Sequence, residues 1–85
     1  MAAYKIFFRE SAKRELKELP KKDLLRTLDR IKSLGENPRG SDSAKLKGDD
    51  GYRVRQGNYR VIYQINESKK IIEIVKVGHR REVYR

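Results

Sequence analysis

Arg53, Arg55 and Arg60 lie close together in this chain, and a second basic stretch, Lys76-Val77-Gly78-His79-Arg80-Arg81-Glu82-Val83-Tyr84-Arg85, fills residues 76–85. Guanidinium groups grip phosphate oxygens through paired hydrogen bonds. They can also stabilise the extra negative charge of a pentacovalent phosphorane, and electrostatic help of that kind often contributes more to catalysis than any other effect. The ring of Tyr84 suggests that the anion carries bases. RNA brings its own nucleophile, the 2′-hydroxyl, so a basic site without metal could cleave RNA while only holding DNA.

Other chemistries find little support. Asp49-Asp50 stands alone as an acidic pair in a loop, short of the oxygen ligands that Mg²⁺ needs. There is no cysteine nucleophile, no glycine-rich phosphate loop at a helix start, and a single histidine makes no triad. No metal and no cofactor is expected.

Composition points the same way. The 85 residues carry 22 Lys plus Arg against 12 Asp plus Glu, a formal net charge of +10. Such an excess draws polyanions, and nucleic acid leads because neutralised phosphates release counterions. A solvated basic surface or a membrane-surface binder is the alternative. A chain of this length makes a single domain, residues 1–85, which buries only about 60% of its unfolded surface. The absence of cysteine fits a reducing cytosol. No apolar run is long enough for a signal-peptide core or a membrane span, so a soluble, cytoplasmic protein without a membrane partner is expected.

The elements that must hold the arginines follow from periodicity. Tyr4, Ile6 and Phe8 alternate as in a strand. Ser11 stands where an N-cap belongs, before Ala12, Leu16 and Leu19 at helical spacing. Pro20 opens a second helix with the stripe Leu24, Leu28, Ile31, closed by Gly35 and Pro38. Residues 39–51 read as a polar connection. Two strands, 52–56 and 59–65, flank the hairpin turn Gly57-Asn58, and a third strand, 71–77, is apolar on both faces. The order β-α-α-β-β-β predicts an α+β domain, a mostly antiparallel sheet with two helices packed on one face.

A two-residue turn at Gly57-Asn58 fixes register. It opposes Gln56 to Tyr59, Arg55 to Arg60, Val54 to Val61 and Arg53 to Ile62. Arg53, Arg55 and Arg60 then share one face, and Tyr52, Val54, Val61 and Tyr63 the other. Directly opposed like charges are unfavourable, so Arg55 opposite Arg60 is a cost that a purely structural sheet would avoid. The alternative is that both side chains splay into water. An antiparallel third strand brings Gly78, His79, Arg80 and Arg81 to the same end of the sheet.

Taken together, Asn37-Pro38-Arg39, Lys45-Leu46-Lys47-Gly48, Tyr52-Arg53-Val54-Arg55, Gly57-Asn58-Tyr59-Arg60-Val61-Ile62-Tyr63 and Val77-Gly78-His79-Arg80-Arg81-Glu82-Val83-Tyr84 resemble the RelE toxins of the RelE/ParE superfamily. The resemblance covers nearly the whole chain. It implies the fold of small microbial ribonucleases and a toxin of a type II toxin–antitoxin pair. Such a toxin enters the ribosomal A site and cuts messenger RNA. It also implies a cognate antitoxin, a small acidic chain that wraps the toxin.

Matched residue by residue, the resemblance gives Arg60 the scissile phosphate, Arg80 general-acid or transition-state duty, and Tyr84 stacking on a messenger base. Arg53 and Arg55 stand where some bacterial members carry lysines, one of them proposed as general base. Arginine effectively cannot lose its proton, so abstraction is weakly assisted here or falls to His79, Lys45 or Lys47. Lys45, Lys47, His79 and Arg81 are otherwise candidates for binding messenger or ribosomal RNA. Tyr84 could instead pack on the sheet edge. Three functions are open: a metal-independent mRNA endonuclease, a non-catalytic ParE-like ligand that poisons DNA gyrase, and a translation blocker that binds rRNA without cutting.

Overall fold

The computed structural model describes residues 3–40, 43–46 and 51–79. The element order is β1 (Lys5–Phe8), α1 (Glu10–Lys17), α2 (Lys21–Leu34), β2 (Ser43–Lys45), β3 (Tyr52–Gln56), β4 (Tyr59–Asn66) and β5 (Ile71–His79). The strands form one sheet in the order β1-β5-β4-β3-β2. The β2–β3, β3–β4 and β4–β5 pairs are antiparallel, and only β1 runs parallel to β5. The α+β class and the mostly antiparallel sheet with two helices are as the sequence predicts. The polar connection differs: Ser43–Lys45 within it pairs with β3 as a short fifth strand.

One apolar layer joins helices to sheet. Ala12 and Leu16 of α1 and Ile31 and Leu34 of α2 pack with Val54, Val61, Tyr63, Ile72, Ile74 and Val77. Each fully buried aliphatic side chain here is worth roughly 1.5–3 kcal/mol relative to exposure. Along β5 the buried residues are Ile72, Ile74 and Val77, so the two-residue alternation breaks once. The break is a β-bulge: Ile62 pairs with Lys76 and Tyr63 with Ile74, which leaves Val75 without a partner. Beyond the bulge, Val77 returns to the helix side and Gly78 to the open side.

The helix ends show where local patterning misled. Ser11 lies inside the first turn of α1, and Arg9, in extended conformation, occupies the N-cap position without a side-chain capping hydrogen bond. The helix begins two residues early, where Arg9 still pairs along the sheet, its N–H donating to Ile74 O at 3.0 Å. Pro20 and Gly35 bound α2 as expected. At the β3–β4 turn only Gly57 takes a positive φ, +62°, as in a type II′ turn, where a side chain would be strained.

At the far end of the sheet the chain is tied by one carboxylate. Glu67, in the β4–β5 turn, accepts hydrogen bonds from Tyr4 Oη at 3.0 Å, Lys70 Nζ at 3.1 Å and Arg39 Nη1. Arg39 also donates its Nε–H to Tyr52 Oη at 3.2 Å, and Tyr52 stacks on Tyr63 with ring centroids 5.8 Å apart. The Tyr63 hydroxyl donates to the Pro38 carbonyl at 2.5 Å and lies 2.7 Å from Ser43 Oγ, so Pro38 and Ser43 are both tied to the sheet by this tyrosine. Burial pushes the Tyr63 phenol up from its ordinary pKa.

The Arg39 guanidinium, then Lys70 and Tyr4, hold the Glu67 carboxyl at about 2 instead of 4.5. A depressed carboxyl pKa adds stability above the ordinary value and loses it as pH falls through the folded one. The stability gap between wild type and Glu67→Gln should therefore be full above pH 4.5 and close as pH falls towards about 2. Urea unfolding at several pH values reads this, and a gap that persists undiminished into acid would contradict it.

Candidate functional site

The hairpin register is the one the turn dictates: Arg53 opposite Ile62, Val54 opposite Val61, Arg55 opposite Arg60 and Gln56 opposite Tyr59. Since Val54, Val61 and Tyr63 face the helices, Arg53, Arg55 and Arg60 share the open face. On its other side Arg60 pairs with Gly78 of β5. A glycine there leaves that flank of Arg60 without a cross-strand side chain, so a ligand backbone can approach.

The three arginines differ in environment. Arg60 is only 6% exposed although it lies on the face that the helices do not cover. Arg53 is half-buried and Arg55 is exposed. Removing a cation from water strengthens every electrostatic interaction it then makes, because less solvent screens it. The arrangement is a fixed central guanidinium with two more accessible ones beside it on β3. Such a row can take a phosphate at its centre and neighbouring backbone charges at its side.

The residues predicted from sequence are not all gathered. His79 pairs with Tyr59, and their rings meet edge to face with centroids 5.9 Å apart. Alternation gives this pair the helix side, opposite to Arg60. Burial raises the pKa of Tyr59, with the nearby Asp23 carboxylate adding to the effect. Lys45 pairs with Tyr52, at the opposite end of β3 from Arg55 and on the other face from the arginines. Lys47, Arg80, Arg81 and Tyr84 lie outside the described residues.

One residue beside this end of the sheet carries no motif that marks it in the sequence. Glu15 of α1 accepts a hydrogen bond from the Val77 backbone N–H at 2.9 Å and from Lys76 Nζ at 3.0 Å. The available signal was its place three residues after Ala12, on the buried side of α1, where an apolar residue is the usual choice. A carboxylate there needs partners, and β5 supplies them.

Comparison with known proteins agrees with this architecture. The model of the family described as ParE toxin of type II toxin–antitoxin system, parDE, matches residues 6–84. A Methanocaldococcus jannaschii protein assigned as toxin RelE1 is 37% identical over 76 residues, 85% of this chain and 84% of that one. The RelE chain of the archaeal RelE–RelB complex from Pyrococcus horikoshii is similar in structure. It has a TM-score of 0.81 and 35% identity, over 94% of this chain and 97% of that one. The RelBE2 toxin–antitoxin complex of Mycobacterium tuberculosis contains a chain with a TM-score of 0.84 and 26% identity, covering 93% of each. Among the described residues no helix is long and apolar enough to cross a membrane.

Directly opposed like charges weaken a ladder, and Arg55 opposite Arg60 is such a pair. Arg55→Gln removes one of two like charges paired directly across a ladder and should raise the unfolding free energy by roughly 0.2–1 kcal/mol at low salt. The gain should shrink near 1 M salt, where the Debye length falls to about 3 Å. Urea unfolding at both salt concentrations checks it. No gain at low salt would mean that the two guanidinium groups diverge.

Proposed function

Because this chain belongs to the RelE/ParE superfamily of type II toxin–antitoxin toxins and is of the RelE type, we propose that it inhibits translation as a ribosome-dependent, metal-independent mRNA endonuclease. The observation that carries the reading is Arg60, buried between Arg55 and Gly78 at the end of the sheet from which the chain continues into Arg80. Structures of relatives bound to RelB support a cognate antitoxin as partner, and the proposal places it over the toxin in the resting state. The ribosomal A site, with its messenger and rRNA, is the partner in the active state.

In the proposed reaction the messenger 2′-oxygen attacks the adjacent phosphorus. A new O2′–P bond forms and the P–O5′ bond breaks. The products are a 2′,3′-cyclic phosphate and a 5′-hydroxyl, the 2′ proton leaving as the 5′-oxygen gains one. Arg60 holds the phosphate and stabilises the charge that builds on its free oxygens. Arg55 and Arg53 hold flanking backbone. Arg80, two residues after Gly78 in the sequence, is proposed to assist the leaving oxygen. Tyr84 is proposed to stack on a messenger base, with Arg81, Lys45, Lys47 and His79 as RNA contacts. No arginine serves as a general base, so catalysis rests on charge stabilisation and on the ribosome's in-line positioning of the messenger.

Adding the protein to a reconstituted translation reaction and mapping 5′ ends should give cuts phased with codons. Intact message with halted translation would favour an rRNA-binding blocker. The family model carries the ParE description, and normal translation with inhibited gyrase supercoiling would favour that non-catalytic mode. Arg60→Ala should lower cleavage about 100-fold or more, the scale of losing a preorganised donor, while ribosome association changes far less. Arg80→Ala should abolish toxicity in cells, and undiminished growth arrest in that variant would sink the assignment.

A further inference from the structure

Strand β1 stops before the sheet does. Its last pair with β5 is Phe8 with Ile74, and the Arg9 N–H closes the ladder on Ile74 O at 3.0 Å. Beyond that point the outer edge of β5 has no strand beside it among the described residues, yet this is the segment that carries Gly78 against Arg60. It is also the segment weakened by the bulge at Val75. A bulged strand with an unpaired edge is a poor support for a site that needs fixed geometry.

Glu15 stands in the gap. One carboxylate oxygen accepts the Val77 N–H at 2.9 Å, the bond a neighbouring strand would have made. The other accepts Lys76 Nζ at 3.0 Å, and the Glu15 side chain is 30% exposed. A charged acceptor on a backbone N–H is among the stronger hydrogen bonds, and partial burial strengthens it further. Both contacts fall on the two residues that separate the bulge from Gly78.

We infer that Glu15 is a positioning residue: its carboxylate replaces the missing strand and fixes the end of β5, and thereby Gly78, against Arg60. The inference rests on the nuclease reading for its catalytic consequence, and its structural half stands apart from it. A displacement of about 1 Å at a reacting centre can cost on the order of 100-fold in rate. Glu15 touches no substrate in this scheme and acts only through the strand.

Two measurements on the whole protein test it. In Glu15→Ala, amide hydrogen exchange at Val77 and Gly78 should rise about tenfold, while exchange at Ile72 and Ile74 follows only the global stability. In the translation reaction the same variant should lose about tenfold or more in kcat with KM within about twofold. Glu15→Gln keeps an acceptor for the Val77 N–H and should restore kcat to within about threefold of wild type, although its ion pair with Lys76 is gone. Unchanged exchange at Val77 in the alanine variant would overturn the clamp. A loss of kcat that merely tracks the unfolded fraction in thermal melts, or one that glutamine fails to rescue, would overturn the positioning role. Wild-type protein that leaves the message intact would overturn the nuclease reading and the catalytic half of the inference, and exchange alone would then decide the clamp.

Discussion

The register of β4 against its two neighbours governs everything that this sheet presents. On one side the Gly57-Asn58 turn opposes Arg55 to Arg60, and on the other the bulge at Val75 opposes Gly78 to Arg60. Side chains alternate with a period of two, so a slip of one residue on either side would exchange the buried and open faces. It would carry Arg60 towards the helices and Val61 into water. Apolar packing of Val54, Val61 and Tyr63 against the helices therefore sets the face on which the arginines stand. The core acts on the site through register.

That arrangement works against electrostatics within the sheet. Two cations are directly opposed, and one of them is nearly buried. Directly opposed like charges weaken a ladder, so this pairing is a local cost to the sheet. The acids of the described chain sit elsewhere. Glu67 ties the far end of the sheet to Tyr4, Arg39 and Lys70, and Glu73 pairs with Arg9 along the β1 edge. Glu15 binds the outer edge of β5. These three carboxylates tie the turn, the β1 edge and the outer edge of β5.

How much of this could be read from residues alone differs by element. The hairpin register was legible because a two-residue turn with glycine permits only one pairing, and the opposed arginines followed directly. The two helices were legible from their stripes, and β5 from being apolar on both faces, as an interior strand must be. The strand Ser43–Lys45 was not, because three residues, Ser-Ala-Lys, are too few to show an alternation. Ser11 misled because its side chain offers a cap that the backbone of Arg9, still bonded to β5, pre-empts. The bulge at Val75 left no mark in a run of apolar residues, where any register buries something. Without it the alternation places Gly78 on the wrong face, so the partnering of Gly78 with Arg60 needed coordinates.

The bulge also decides which chemistry the imidazole can join. By passing Val77 to the helix side it sends His79 there too, against Tyr59 and away from the arginine face. Among the described residues, the β3–β4 end of the open face carries Arg53, Arg55 and Arg60, whose guanidinium groups donate hydrogen bonds and hold charge but do not take up protons. A site of this kind binds the phosphates of any nucleic acid and favours cleavage only where the substrate brings an adjacent hydroxyl and a partner holds it in line. On the proposed reading, ribosome dependence fits an arginine-rich face: the toxin supplies fixed positive charge, and the ribosome supplies the geometry that a general base would otherwise make less critical.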